Sequence, residues 1–478
     1  MRRVRKEDGA RSTWRERSAL GPGQRPRQGA SRGSSQTCND SDPRHDTAKA
    51  VKDYLKTQTG LEIVVLGGTT MFVPARSVHD AYSNAMYRVS FDETFSSDYY
   101  FGDLSEWDAN GDGTYAEDGV DAPDYLPELG VTRVPVSTLG EANLYVAKAI
   151  HHLTAYELDR AATALLLSNV ATMLTVPYVD VDVPIDSAIY FEMTGRSASL
   201  IPPDYAVTKL YASFPVANSR TLTLEEQTAE MERSYNFIIH AGHGSETSLT
   251  VEENGDNDFS AAHAYALSNA QHPFFLSGAC RAGSLAYPDS AGESLVTAPN
   301  GGAIGYLGNS GTGLGLAGGA QFVDEFLRYA LAHPRPRVGD AMKSAHRTLP
   351  QTDTIDVPTG LSVYPTVAVP TVDLNSYQWT HKSVVWLGDG LLPIWTDPST
   401  SVAPTVSLQR QAIGAFTKLV FSVSPELGGT ITVDTGAALY QKPVAAGQAT
   451  IVIAGTPAHV WFGFESATAL PALGDSAC

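Results

Sequence analysis

The chain has 478 residues, a formal net charge of −19, 43% hydrophobic residues and 18% charged ones. That length admits roughly two to four domains with a substantial core, and no run approaches the ~18 apolar residues of a membrane-spanning helix. So acidic a chain is not built to hold nucleic acid, whose phosphates require clustered Lys and Arg.

The charge is unevenly spread. Residues 1–45 carry eleven Lys or Arg against five Asp or Glu, and the remainder carries 22 against 47. The first segment is rich in Arg, Gly, Ser, Gln and Pro and nearly free of aliphatic residues. It has too little apolar surface to offset its ordering entropy, so a basic disordered segment is expected over 1–45. No apolar stretch follows its basic start, so no secretory signal peptide is visible. TAKAVKDYLKTQTG then reads as a helix closed by Gly60, and LEIVVLGG as the strand after it. In Asp108-Ala-Asn110-Gly-Asp112-Gly113-Thr114, oxygen ligands alternate with small residues and a glycine allows a sharp bend, as at the opening of a calcium loop. The closing glutamate of an EF-hand is missing, since its twelfth position is Gly119. Glu117 or Asp118 would complete a site of another type; the alternative is an acidic turn whose Asx side chains cap their own backbone. A helix is expected from Thr138 to Arg160, with Ser137 as N-cap and apolar residues repeating at Leu144, Ala147 and Ile150.

Strand and helix patterns alternate through the centre. ATALLLSNVA, YNFIIHAG, PFFLSGA and GAIGYLGN read as strands. The stretches before Ser268, after Ser290 and from Gly319 to His333 read as helices, the last with an apolar stripe of Phe322, Val323, Phe326, Leu327, Ala330 and Leu331. Such alternation implies a parallel sheet covered on both faces. Beyond VVWLGDGLLPIWTDP, prolines and serines mark a linker. PTVSLQR, FTKLVFSVS, GTITVDT, ATIVIAG and AHVWFGF are then short alternating strands, which predicts a small antiparallel, immunoglobulin-like β-sandwich over 402–468.

Two of the central strands end in reactive side chains. YNFIIHAGHGS closes on His243-Gly244, and HPFFLSGAC closes on Cys280, 37 positions later. Side by side, these strands would bring a thiol and an imidazole to the carboxyl edge of one sheet, where α/β proteins bind ligands. A thiol is readily made nucleophilic near neutral pH, and an imidazole is the natural proton carrier beside it. Either residue alone is more often simply packed; the pair reads as a cysteine hydrolase. His240 lies an odd number of positions before His243, so on an extended strand it points the other way and packs behind the site. His-x-x-His is not the helical His-Glu-x-x-His of zinc hydrolases. GNSGTGLGLAGG, over 308–319, lacks the Lys-Ser/Thr of a phosphate-binding loop, and a G-x-S-x-G elbow fails at Thr312. Its position predicts a loop bordering the substrate cleft. Cys38 lies in the basic segment and Cys478 is the last residue, so no disulfide framework is expected.

His-Gly after one strand and Ala-Cys after the next resemble the caspase-like clan of cysteine peptidases, its gingipain-type family in particular. HAGHGSETS (240–248), LSNAQHPFFLSGAC (267–280) and ESLVTAPNGGAIGYLGNS (293–310) carry the likeness. VVLGGTTMFVPAR (64–76), SSDYYFGDLSEWDANGDGTYAEDG (96–119) and LPELGVTRVPVSTLGEANLYVAKAI (126–150) look like that family's amino-terminal subdomain, so the likeness covers roughly 46–398.

The resemblance implies an α/β fold: a caspase-like, three-layer parallel-sheet catalytic region of two side-by-side subdomains, then the β-sandwich. The N-terminal α/β subdomain would span 46–160 and the catalytic one 161–398. The implied activity is that of a cysteine endopeptidase acting on proteins or peptides. Cys280 would attack the carbonyl and form an acyl-enzyme, His243 would protonate the leaving amine, and the Gly244 and Cys280 amides would hold the oxyanion, with no catalytic metal. Calcium would be held by Asp108, Asn110, Asp112, Thr114 and Glu117, and the protein would be extracellular or on the cell surface. The family's imidazole-orienting acid has no counterpart in ALLLSNVATM. Asp180, Asp182, Asp186 or Glu192 would have to reach in from the following insertion, and Asp186 is the choice among them. The alternative is a catalytically silent, peptidase-like surface or binding module. It is favoured by the missing acid, by the lack of the family's further strand and helix before Asp46, and by Gly390, where relatives tend to carry proline.

Overall fold

The computed structural model describes residues 46–477 apart from 85–88, 122, 170–174, 179–180, 185, 213–217, 252–256, 334, 359–365, 397–403 and 467–468. Cys38 and Cys478 fall outside the described residues.

A nine-stranded sheet organises the chain. Its strands are β1 (Ile63–Gly67), β2 (Gly130–Val134), β3 (Thr163–Ser168), β4 (Ala206–Tyr211), β5 (Ser219–Thr221), β6 (Phe237–Ala241), β7 (Phe274–Ser277), β8 (Gly305–Asn309) and β9 (Val384–Gly388). They lie in the order β1-β2-β9-β8-β7-β6-β3-β4-β5. Strands β8, β7, β6, β3, β4 and β5 are mutually parallel. Strand β9 runs antiparallel to β8 but parallel to β2, which is parallel to β1. The expected parallel sheet is therefore two parallel blocks of opposite sense, fused side by side at the β8–β9 pairing.

Alternate residues of each strand enter different cores, because strand side chains point to the two faces in turn. Leu166, Phe237, Ile239, Phe274, Leu276 and Leu307 share one cluster with Phe322, Phe326 and Leu327 of α5 (Gly319–Ala332). Leu165, Leu167, Ile238, Phe275 and Tyr306 share the other with Leu295 and Val296 of α4 (Ala291–Thr297). This is a three-layer α/β/α arrangement, and it explains why the strands read as continuous apolar runs. The block junction is packed so closely that a Cβ at Gly305 would lie 2.2 Å from the Trp386 ring. Gly390 donates its amide to Thr132 Oγ1 at 2.9 Å, a bond that proline has no N–H to make.

The helix at Leu139–Thr154 (α2) ends earlier than its sequence pattern predicts. Its N-cap is Thr138, whose side chain accepts from the Glu141 amide, while Ser137 donates its hydroxyl to the Glu141 carboxylate. Its apolar repeat also faces outward. Leu144, Val146 and Ile150 are exposed, while Tyr145, Lys148 and His152 are buried. Each buried polar group finds a carbonyl: Tyr145 donates to Ile304, Lys148 to Val296, and His152 bonds to Pro393 at 2.8 Å. The N-terminal helix α1 (Thr47–Lys56) starts at Asp46, which caps Lys49 N–H and pairs with the buried Arg76 at 2.7 Å.

The C-terminal region has two antiparallel sheets, one of three strands and one of four. Leu419, Phe421 and Ile451 of one face Ile431, Val433 and Phe462 of the other, with the Phe421 and Phe462 rings 5.2 Å apart. The strands Leu439–Val444 and Ala469–Ala477 have no counterpart in the sequence pattern. The arrangement is compatible with an immunoglobulin-like sandwich. No helix among the described residues is long and apolar enough to cross a membrane.

Burial holds several histidines neutral. It pushes His152 and His346 down to about 3 and His240 to about 4, and it lowers His381 well below the ordinary value, with His346 and His381 bonded through Nδ1 atoms 2.9 Å apart. The unfolded chain, with ordinary imidazoles near 6.5, binds more protons than the native one below that pH, so stability falls as pH drops from about 6.5. Each group contributes up to about 1.4 kcal/mol per pH unit. Asp324, pushed up to about 6 by burial, acts in the opposite sense, but only below that value. We expect the urea midpoint to decline steadily from pH 6.5 to 5; a midpoint flat over that interval contradicts this account.

Candidate active site

Strands β6 and β7 are adjacent and parallel, with His240 opposite Ser277. His243 and Cys280 each lie three positions beyond that matched pair, so they leave the sheet side by side at its carboxyl edge.

After β6 the chain turns through a small antiparallel sheet in which Gly244 pairs with Leu249 and Ser245 with Ser248. The His243 carbonyl accepts both the amide and the hydroxyl of Thr250, at 3.1 and 2.9 Å. Thr250 is itself held by Asn169, whose Nδ2 donates to Oγ1 at 2.7 Å. Asn169 directly follows β3, where the sequence lacks the expected acid. Gly244 lies against the cysteine loop: a Cβ there would sit 2.9 Å from Ala279 Cβ and 3.1 Å from the Cys280 carbonyl oxygen. Glycine is needed for this close approach, not for an unusual φ.

The loop after β7 is tied at nearly every residue. Ala279 N–H donates to Ser277 Oγ at 3.1 Å and Arg281 N–H to the Gly311 carbonyl at 2.8 Å. Asn309 Nδ2, at the end of β8, donates to the carbonyls of Gly278 and Ala279 at 3.2 and 3.1 Å. Arg281 has a φ of 54°, a left-handed conformation that non-glycine residues adopt only where their surroundings impose it. The thiol of Cys280 is partly buried and reaches the Gly313 carbonyl at 3.6 Å.

Helix α3 (Asp186–Leu200) supplies the wall on one side. The Tyr190 ring meets His243 edge-on, with centroids 5.3 Å apart, and burial, reinforced by the nearby Cys280, pushes its phenol up. Tyr190 and Met193 form an apolar cluster with Ala241, Leu316 and Ala320. Burial is the main influence on both reactive groups. It raises the Cys280 thiol above its ordinary value, with Glu93 reinforcing and Arg281 opposing, and it lowers the His243 imidazole. Both shifts favour the uncharged forms, a thiol at Cys280 and a neutral imidazole at His243. His240 lies behind this edge, buried, with Nδ1 3.0 Å from Ser277 Oγ.

The acids considered for orienting the imidazole fare unequally. Asp180 and the side chains of Asp182 and Asp186 lie outside the described residues, although Asp186 opens α3. Glu192 is described, and its charge acts on Arg196, one turn along the helix. Asn169 and Tyr190 were not anticipated. An asparagine ending an apolar run gives a faint signal; a tyrosine on a helix with no clear apolar face gives none.

In the acidic loop, Asp112 accepts from Thr114 N–H and from Asn110 Nδ2, both at 2.8 Å, and Asp108 from Gly113 N–H at 3.3 Å. Asp121, which the sequence pattern missed, accepts the amides of Ala109 and Glu117 at 2.7 and 3.0 Å. Asp118 turns instead to the buried Lys382, at 3.4 Å. The Glu117 carboxyl is raised by burial and then by Asp112, Asp121 and Asp108, and its Oε2 is enclosed without a hydrogen-bond partner. An orphaned carboxylate oxygen amid three other acids suits a cation. No group of three such side chains among the described residues is drawn together as a finished metal site.

Comparison with solved structures places the fold. Gingipain R (RgpB), an Arg-specific cysteine proteinase, matches with a TM-score of 0.57 at 15% identity, over 90% of this chain and 88% of that one. The complex of Porphyromonas gingivalis RgpB pro- and mature domains matches with a TM-score of 0.59 at 15% identity, over 92% and 91%. At such identity the likeness is one of fold. Comparison with curated protein sequences returned no match. The family model for peptidase family C25 matches residues 33–395, most of the chain, and the protein therefore belongs to that family of cysteine peptidases.

Proposed function

We propose that Cys280 and His243 carry out the hydrolysis of peptide bonds in this endopeptidase through an acyl-enzyme. The observation that carries the reading is the β6–β7 register, which brings both residues to one edge with the Cα of Gly244 against Cys280. The Cys280 thiol gives its proton to His243 as its sulfur bonds to the substrate carbonyl carbon. The oxyanion is held by the amides of Gly244 and Cys280. As the C–N bond breaks, His243 passes the proton to the departing amine. Water then attacks the thioester, His243 takes its proton, and the carboxylic acid leaves as the thiol re-forms. Among candidates for orienting the imidazole we retain Asp186, with Tyr190 packing the ring and Asn169 fixing its backbone through Thr250.

Active protein should hydrolyse a mixed peptide library and be labelled by a peptidyl acyloxymethyl ketone. Cys280→Ala should lose both properties, and His243→Ala should lose turnover with little change in melting temperature. Labelling that persists in Cys280→Ala rejects the assignment. Because the thiol is raised and the imidazole lowered, iodoacetamide modification of Cys280 should be slow at pH 7 and still climbing above pH 9. A rate already level between pH 5 and 7 would instead show a resting thiolate–imidazolium pair. The silent-module reading loses one support, since Gly390 answers a local packing demand at Thr132.

We further propose that Asp108, Asn110, Asp112, Thr114 and Glu117 bind structural calcium, joined by Asp121, the loop tightening around the cation. Calcium at ~100 times its dissociation constant would stabilise the fold by about 2.7 kcal/mol. Melting temperature should rise with calcium and fall with chelator, and Glu117→Gln should abolish the difference; equal melting curves in wild type end the proposal. Extracellular or surface location completes the reading, in keeping with the family.

A further inference from the structure

We propose that Glu93, on a hairpin far upstream of the catalytic strands, is a positioning residue that holds Cys280 in place by clamping the two loops around it. Glu93 lies in the strand Val89–Ser97, paired with Arg76–Asn84. One of its oxygens accepts the Arg281 guanidinium and the other the Thr312 amide, each at 2.5 Å. Arg281 directly follows Cys280, and Thr312 directly precedes Gly313, whose carbonyl accepts the thiol. A single carboxylate therefore ties together the two loops that flank the sulfur, one through the Arg281 side chain and the other through the Thr312 backbone. Arg281 also reaches Glu246, at 3.6 Å, in the turn that follows His243. A Cβ at Gly311 would lie 3.0 Å from Glu93 Oε1 and 2.8 Å from the Phe95 ring, so only glycine lets this loop rest on the hairpin. Beside these contacts a pocket of about 290 Å³ opens between hairpin and loop, lined by Glu93, Ser96, Glu246, Arg281 and Tyr287. Alongside the Phe95 contact at Gly311, the carboxylate links the hairpin to both Arg281 and Thr312 at the edge of this open space.

The proposal rests on Cys280 being the nucleophile, and the test keeps the two ideas apart. Glu93→Gln retains an acceptor for Thr312 but loses the charge that holds Arg281; Glu93→Ala loses both; Glu93→Asp restores the charge at shorter reach. Each is compared with wild type in melting temperature, peptide turnover and the pH dependence of Cys280 modification by iodoacetamide. With folding preserved, Glu93→Gln should lower kcat by about tenfold with KM within about twofold, as expected for a misplaced reacting atom. Glu93→Ala should lower kcat further, and Glu93→Asp should recover part of the loss. The modification midpoint should move down in Glu93→Gln, where a negative charge near the sulfur is gone, and up in Arg281→Gln. Reactivity toward a small reagent thus rises while turnover falls, which a merely structural role would not produce. The proposal is overturned by turnover within twofold of wild type in both Glu93→Gln and Glu93→Ala, or by midpoints unmoved in both Glu93→Gln and Arg281→Gln. If wild type hydrolyses no peptide, the proposed function fails by itself and the midpoints still decide the clamp.

Discussion

The pairing of β6 with β7 is the constraint on which the rest of the molecule depends. His240 and Ser277 face each other across that pair and are joined by a side-chain hydrogen bond as well. Both strands bury both faces, so a slip of one residue would send Phe237, Ile239, Phe274 and Leu276 into the core now filled by Ile238 and Phe275, and the reverse. The register is thus held by two cores at once. The positions of His243 and Cys280 follow from it, because each leaves the sheet the same number of residues beyond the matched pair.

That location has electrostatic consequences. An edge enclosed by Tyr190, Met193 and Leu316 is poor in water, and poor hydration disfavours both a thiolate and an imidazolium. Burial accordingly raises the Cys280 thiol and lowers the His243 imidazole, moving each toward its uncharged form. Under the mechanism proposed above, charge would appear only during reaction and would be met by backbone amides held by the surrounding loops. Asn169 bears on His243 only at one remove: it bonds to Thr250, which donates to the His243 carbonyl, while the ring itself is packed by Tyr190.

What could be read from the sequence divides along a physical line. Buried strands ending in glycine and small residues are legible because each is a local pattern, and the placing of Cys280 and His243 just beyond two neighbouring strands could be read that way. Helix α2 misled in its apolar repeat, because its buried face carries Tyr145, Lys148 and His152, whose polar ends are satisfied by carbonyls of distant segments. The strand Leu439–Val444 pairs with Gly429–Asp434 while most of its own residues stay exposed, so it lacks the alternation that marks a strand. Asn169, Tyr190 and Glu93 matter through contacts with residues remote in the chain. Glu93 and Arg281 are 188 positions apart, and nothing local to either announces the other.

The hairpin also shows how two blocks of opposite strand sense come to share one site. The β1–β2–β9 block contributes no strand to the edge that bears Cys280, yet the hairpin following β1 reaches that edge and makes the contacts there. Trp379 secures the bridge. Its ring packs on Tyr82, Phe91 and Phe95 of the hairpin, and its indole N–H donates to the Thr312 carbonyl at 2.8 Å. Thr312 is therefore gripped at its carbonyl by Trp379 and at its amide by Glu93, both grips depending on the hairpin. A fused sheet alone would fix the strands but leave the loops beyond their ends free to shift. Anchoring those loops from the neighbouring block makes the geometry around the sulfur a property of both halves of the sheet, and a catalytic region of two blocks gains this over a single one.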